Sequence, residues 1–273
     1  MADLPQTSHV RLDLRGPVLH LWLNRPDVRN ALSQQMVREI LATFAAIEHD
    51  PIVRVVVLRG AGGTFCAGAD IKNLSTVGET PAPGAADEVK ENNRRFGTMM
   101  ETVNAAPQAV VAAVEGHAMG GGFGLACVAD VTIATADAIF AMTEVRIGVV
   151  PAAISPFVVK RIGLTAARRF GVSGARLSGI EACAVGVAHL TAANSAALDG
   201  AVRDACNQVL KCAPGAVTAT KRLMLRAAGP SPLSELLDDA AEAFAAAARS
   251  PEGREGTKSF IEKRKPSWAV EVE

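Results

Sequence analysis

Two glycine-punctuated turns carry the first legible chemistry in this chain. Gly120-Gly121-Gly122-Phe123-Gly124 follows the apolar segment Gln108 to Val114 and opens another apolar run, Leu125 to Ala134. Glycines in that place bare backbone N–H groups at a helix start. Earlier, Phe65-Cys66-Ala67-Gly68-Ala69-Asp70-Ile71-Lys72 stands directly after the strand-like run Arg54-Val55-Val56-Val57-Leu58-Arg59-Gly60. One exposed N–H from each turn would clamp a single carbonyl oxygen and stabilise negative charge developing there. A lone triple glycine is weak evidence, so the elements around the turns have to be read as well.

Short apolar runs at Val18 to Leu23, Val53 to Leu58, Ala109 to Val114 and Val128 to Ala134 read as strands, with helical patterns between them. From Ser33 to Ile47 the apolar residues Met36, Ile40, Leu41, Phe44 and Ile47 fall close to one helical face, with Ser33 as N-cap. The rhythm is strand, helix, strand, which places the chain in the α/β class. Gly, Pro and small residues between Ser75 and Asp87 lack any period and predict a long exposed loop. From Ala201 onward the pattern turns helical and alanine-rich; in Leu233 to Arg249, residues Leu236, Leu237, Ala240, Ala241 and Phe244 share one face.

Together with Leu23-Asn24-Arg25-Pro26 and Asn30-Ala31-Leu32, the two turns resemble the enoyl-CoA hydratase/isomerase, or crotonase, superfamily. The likeness covers nearly the whole chain. It continues through Thr143-Glu144-Val145-Arg146-Ile147-Gly148-Val149-Val150-Pro151, Pro214-Gly215-Ala216 with Thr220-Lys221, and Phe260-Ile261-Glu262-Lys263-Arg264-Lys265. The resemblance implies a spiral of ββα units, with a catalytic core over residues 1–200 and a helical trimerisation region over 201–273. It implies a homotrimer, often paired into a hexamer. The oxyanion-hole donors it points to are the backbone N–H groups of Ala69 and Gly121. Coenzyme A, arriving as part of the acyl-CoA substrate and not as a separate cofactor, would be met by Arg29, Ala31, Ala67, Asp70 and Ile71. Phe260 and Lys263 match positions that reach the coenzyme bound mainly by the adjacent subunit. Within this set Asp70 is expected to fix its turn, and Lys263 to meet phosphate as a point charge.

Hydration across an α,β double bond needs a water deprotonated for attack at C3 and a proton delivered to C2. Relatives commonly use two glutamates for this. The second matches Glu144; the first should stand three residues past the oxyanion glycine, where this chain has Gly124. Loss of one acid/base group typically costs about 10² to 10⁴ in rate. One expectation is therefore a hydratase in which Glu144 works alone on a branched, carboxylate-bearing enoyl-CoA, with Gly124 clearing space. The runs Gly122-Phe123-Gly124-Leu125 and Val149-Val150-Pro151-Ala152-Ala153-Ile154-Ser155-Pro156 resemble bacterial hydratases acting on 3-methylglutaconyl-CoA and isohexenylglutaconyl-CoA. A second expectation is a Δ3,Δ2-enoyl-CoA isomerase, which needs only one carboxylate. A third is a binding or scaffold module.

The remaining residues narrow these choices. Among 273 residues, 49% hydrophobic content is enough for a large core plus buried subunit contacts. A formal net charge of zero without a long basic block gives no general attraction to nucleic acid or to an anionic membrane. The N-terminus Met1-Ala2-Asp3-Leu4-Pro5-Gln6 lacks the plan of a secretory or transit signal, so the chain reads as cytosolic. Cysteines 66, 127, 183, 206 and 212 are odd in number and contain no Cys-x-x-Cys pair, and the histidines at 9, 20, 49, 117 and 189 form no His-x-x-x-His pair. Neither a disulfide framework nor a metal site is expected. Cys66, His117, Glu115 and Asp130 are read as structural, while Arg146, Arg94 and Arg95 are candidates to pair with a substrate carboxylate.

Overall fold

The computed structural model describes residues 3–70, 78, 81–82 and 84–272. Valine-rich runs make its frame: β1 (Val10–Arg15), β2 (Val18–Leu23), β3 (Val55–Gly60), β4 (Ala109–Val114), β5 (His117–Met119), β6 (Val131–Thr135), β7 (Ile139–Ala141), β8 (Arg176–Ser178) and β9 (Leu190–Ala192). Between and after them run α1 (Gln34–Ile47), α2 (Glu88–Ala105), α3 (Gly121–Val128), α4 (Ser155–Ser173), α5 (Gly179–Ala184), α6 (Ser195–Leu210), α7 (Pro214–Ala227), α8 (Leu233–Arg249) and α9 (Pro251–Ile261).

Among the described residues the strands form two sheets. One has the order β1-β2-β3-β4-β6-β9 and the other β5-β7-β8. β1 and β2 form an antiparallel hairpin, and from β2 onward the larger sheet is parallel. Its central strands are sealed on both faces, so Val55 to Leu58 and Ala109 to Val114 are buried without alternation. After β4 the chain steps into the small sheet as β5, makes α3, and returns as β6. It then steps out again as β7 and makes α4. Single-residue bridges extend the second layer backwards, Cys66 to Ala118 and Leu32 to Ala69. Each turn of the spiral is therefore strand, short strand or bridge, then helix, which is the ββα repeat expected.

The boundaries expected from sequence hold closely at β2, β4 and α8 and shift elsewhere. β3 begins at Val55, two residues later than the apolar run suggests, because Arg54 is spent on a bend in which its N–H meets Pro17 O at 2.9 Å. Val128 closes α3 and does not open a strand; Thr132 Oγ1 donates to Ala126 O across the helix-to-strand corner. The hairpin strand β1 was missed, being half-exposed and rich in charge. In α1, Ser33 accepts Met36 N–H as N-cap, and the helix seats Met36, Val37, Ile40, Phe44 and Ile47 in the main core. Six of the thirteen residues of the loop expected over Ser75 to Asp87 lie outside the described residues; Ala85 N–H meets Ala82 O at 3.0 Å, and Asp87 caps α2.

The division at residue 200 falls inside α6, whose Leu198, Val202, Ala205, Cys206 and Leu210 pack against Val55, Val57, Val111 and Ile133 of the larger sheet. α7 to α9 follow with open faces: Met224, Leu233, Leu237, Phe244 and Phe260 are exposed. No described helix is long and apolar enough to cross a membrane.

Candidate active site

The two turns come together through strand pairing. Cys66 N–H donates to His117 O at 2.8 Å and Met119 N–H to Cys66 O at 2.9 Å, hanging the first turn on β5 immediately before the glycine cluster. Gly68 (φ +96) crosses against Met119, and a Cβ on it would lie 3.1 Å from Met119 O. Gly120 (φ 47, ψ −111) bends the chain out of β5 into α3, a backbone setting that only glycine adopts readily. Leu32 joins the turns from the other side: its N–H meets Gly68 O at 2.8 Å, Asp70 N–H meets Leu32 O at 3.1 Å, and its Cδ1 would touch a Cβ on Gly121 at 2.8 Å.

Ala69 and Gly121 thus stand on either side of Leu32. Among the described residues neither of their N–H groups donates a hydrogen bond. For Gly121 the reason is its place at the first position of α3, where no carbonyl lies one turn back. Two amides kept free at a glycine turn and a helix start are the donors an oxyanion needs.

Glu144 reaches the same place through β7. Met119 pairs with Ala141 and Gly120 N–H meets Ala141 O at 2.8 Å, so the residues just past β7 pass under the glycine turn. Glu144 opens a short 3-10 turn, Glu144–Ile147, closed by Gly148 in the left-handed region. Its carboxylate lies so near Gly120 that a Cβ there would meet Oε1 at 2.7 Å. Oε2 is shielded from water and has no hydrogen-bond partner. Burial raises the Glu144 pKa above the ordinary glutamate value; its own backbone N–H opposes this, and no charged side chain contributes. A carboxyl poised in this way can take or give a proton beside an oxyanion cradle.

The segments expected to meet the coenzyme are adjacent. Ala67 N–H donates to Arg29 O at 2.9 Å, and buried Asn30 ties the loop to Ala61 O and Thr64 O. Arg25, a residue the sequence did not single out, joins Ala31 O at 2.7 Å and Asp70 at 2.9 Å. Through Arg25, Asp70 is tied to the loop that carries Ala31. Arg29 is exposed with φ 51, Ala31 is buried, and Ile71 lies outside the described residues. Phe260 is 86% exposed on α9, and Lys263 follows it with φ 52; α9 packs on α8 within its own chain.

Gly124 does not clear space. It is buried, and a Cβ on it would strike Ile154 Cγ2 at 2.4 Å, Ile154 Cβ at 3.0 Å and Met100 Cε at 3.1 Å. The volume a side chain would take there is already filled. Ile154, Met100 and Phe96, whose ring covers Gly121, were not foreseen, since two separate elements, α2 and the entry to α4, bring them to α3. The candidate arginines turn elsewhere. Arg146 lies over Gly174, Arg94 bonds Thr98 and Glu101, and Arg95 bonds Gln34 and Asn92. Glu115 holds Ser195, and Asp130 holds Val110 N–H and Lys221. Burial pushes the Cys66 thiol up to about 12, so it packs and does not attack.

A ββα spiral that sets two free amides beside a carboxylate of raised pKa belongs to the class of folds suited to stabilising charge on a carbonyl oxygen while a proton moves. The sequence pattern of the enoyl-CoA hydratase/isomerase family matches residues 14–271, and the chain belongs to that family. It is similar to the crystal structure of an enoyl-CoA hydratase/isomerase from Marinobacter aquaeolei, with 48% identity, a TM-score of 0.92, and coverage of 96% of this chain and 99% of that one. It is similar also to Pseudomonas aeruginosa AtuE, with 47% identity, a TM-score of 0.91, and coverage of 96% and 100%. The mevalonyl-coenzyme A hydratase SIDH of Beauveria bassiana is 32% identical over 257 residues, 92% of this chain and 91% of that protein. The chain is an enzyme of the enoyl-CoA hydratase/isomerase type.

Proposed function

We propose that this enzyme hydrates a branched enoyl-CoA whose acyl part bears its own carboxylate, of the 3-methylglutaconyl or isohexenylglutaconyl type. The observation that carries the reading is the Glu144 carboxylate against Gly120, its Oε2 shielded and unpartnered, one residue before the free amide of Gly121. In the forward reaction the thioester oxygen takes the N–H groups of Ala69 and Gly121. Glu144 removes a proton from water as its oxygen bonds C3, and the C2=C3 electron pair moves toward the carbonyl. Glu144 then returns that proton to C2 as the enolate collapses, giving a 3-hydroxyacyl-CoA and the carboxylate restored. With one protein carboxylate, the substrate's own carboxylate helps to organise the water.

Coenzyme A enters as part of the substrate and no separate cofactor is required. Arg29, Ala31, Ala67, Asp70 and Ile71 form its bed, Gly124 lies beneath the acyl site, and Phe260 and Lys263 reach over from a neighbouring subunit of a trimer or hexamer. The exposed faces of α8 and α9 suit such an assembly, and the setting is cytoplasmic.

The single carboxylate also favours a second reading, a Δ3,Δ2-enoyl-CoA isomerase in which Glu144 takes a proton from C2 and returns it to C4. Incubation with crotonyl-, 3-enoyl-, 3-methylglutaconyl- and isohexenylglutaconyl-CoA, followed by product mass, separates the two. Gain of one water on a branched glutaconyl thioester with little on crotonyl-CoA is expected. Unchanged mass with a migrated double bond replaces the hydratase by the isomerase.

A further inference from the structure

We infer that Ile154 is a specificity-determining residue: its side chain stands where a second carboxylate would be carried by residue 124, and so keeps the site a one-carboxylate site. The inference rests on the one-carboxylate reading above and deepens it.

Gly120 and Gly124 are one helical turn apart, about 6 Å along the axis, and Gly124 N–H closes the first turn on Gly120 O at 3.0 Å. Glu144 lies against the first of these glycines and Ile154 against the second. One stretch of chain, residues 144–154, therefore delivers both the carboxylate and the apolar side chain beside it. Ile154 cannot easily yield. It is 2% exposed, belongs to the main core, and is branched at the carbon that would be struck. Its carbonyl accepts both Phe157 and Val158 N–H at 3.0 Å, which fixes it at the entry to α4. Met100 closes the place from α2 with a flexible end, one turn on from Phe96 against Gly121. The contact is thus selective: Met100 can adjust, whereas Ile154 decides what residue 124 can be.

The test compares Gly124→Glu, Gly124→Glu/Ile154→Gly and the wild-type chain in thermal melts and in hydration of crotonyl-CoA, the unbranched substrate. Gly124→Glu alone is expected to melt at least about 5 °C lower. The double variant should recover at least half of that loss and hydrate crotonyl-CoA tenfold or more faster than wild type. A Gly124→Glu chain that melts like wild type overturns the inference, as does a folded double variant with no gain on crotonyl-CoA. Should the double variant not fold, Gly124→Ala replaces Gly124→Glu: the added methyl should lower the melt when introduced alone and be relieved by Ile154→Ala, and costs that simply add overturn the inference. Wild-type turnover of none of the thioesters would sink the functional reading instead, while the melting comparison still decides whether Ile154 holds the place.

Discussion

Two glutamates whose carboxylates both feel the cost of burial show opposite designs. Glu39, on α1, is 5% exposed and accepts Ser8 N–H, Ser8 Oγ, His9 N–H, Val10 N–H and Gln35 Nε2, all within 2.8–2.9 Å. These donors hold its pKa down to about 2 against the desolvation that burial imposes. Glu144 has burial with little to offset it: Oε2 is unpartnered, only its own backbone N–H opposes the desolvation, and the pKa is raised. The first carboxylate is spent on folding, since it ties the N-terminal segment to the core. The second is left without that support, and its raised pKa suits it to taking up and giving back a proton.

The sharpest break of this contrast is Glu144→Gln, which should lower kcat by about 10² to 10⁴ on the working substrate. It should leave Tm at neutral pH unchanged or higher. The sign follows from linkage: the folded chain holds the Glu144 proton more tightly than the unfolded chain, so ionisation at pH above the usual glutamate value costs stability that Gln does not incur. Turnover within threefold of wild type would remove Glu144 from the mechanism.

Glu39→Gln should do the reverse, costing on the order of 2 to 3 kcal/mol in denaturant melts while kcat at low temperature stays within a few-fold. The depressed pKa of Glu39 gives stability that is complete above about 4.5 and is lost as pH falls toward about 2. Acid unfolding of the variant should therefore show a weaker pH dependence in that window. An equal slope would mean that other carboxylates carry it.

A smaller effect concerns the pH profile of the wild-type enzyme. Because Glu144 must be ionised to act as base, the acid limb of kcat/KM should lie above 4.5, the ordinary glutamate value. A limb at or below 4.5 would count against burial as its controlling influence. The smallest effect is at Ser33, which caps α1 and meets His9 Nδ1 at 2.7 Å beside the Glu39 cluster. Ser33→Ala should cost about 1 kcal/mol with no change in the pH profile of activity.

Much of this was legible from residue types. The β2 and β4 runs, the Ser33 cap and the α8 face carry their periodicity in consecutive residues, so local pattern was enough to place them. The glycine turn at 120–124 was legible because few backbones other than glycine tolerate that bend. β1 and the start of β6 were not, because one is half-exposed and charged and the other is separated from a helix by only Ala129 and Asp130 within an otherwise apolar run.

The sequence by itself determined that the chain has two amide-baring turns, one carboxylate at 144 and none at 124. Those are matters of which residue stands at which place. Only the tertiary structure decided what Gly124 means. A missing side chain reads in a sequence as room, yet here α4 and α2 converge on that spot and fill it with Ile154 and Met100. Close packing leaves no residue-sized void in a core, so the consequence of an omitted side chain is set by whichever distant residue takes its volume. That residue is known only once the spiral has brought the elements together.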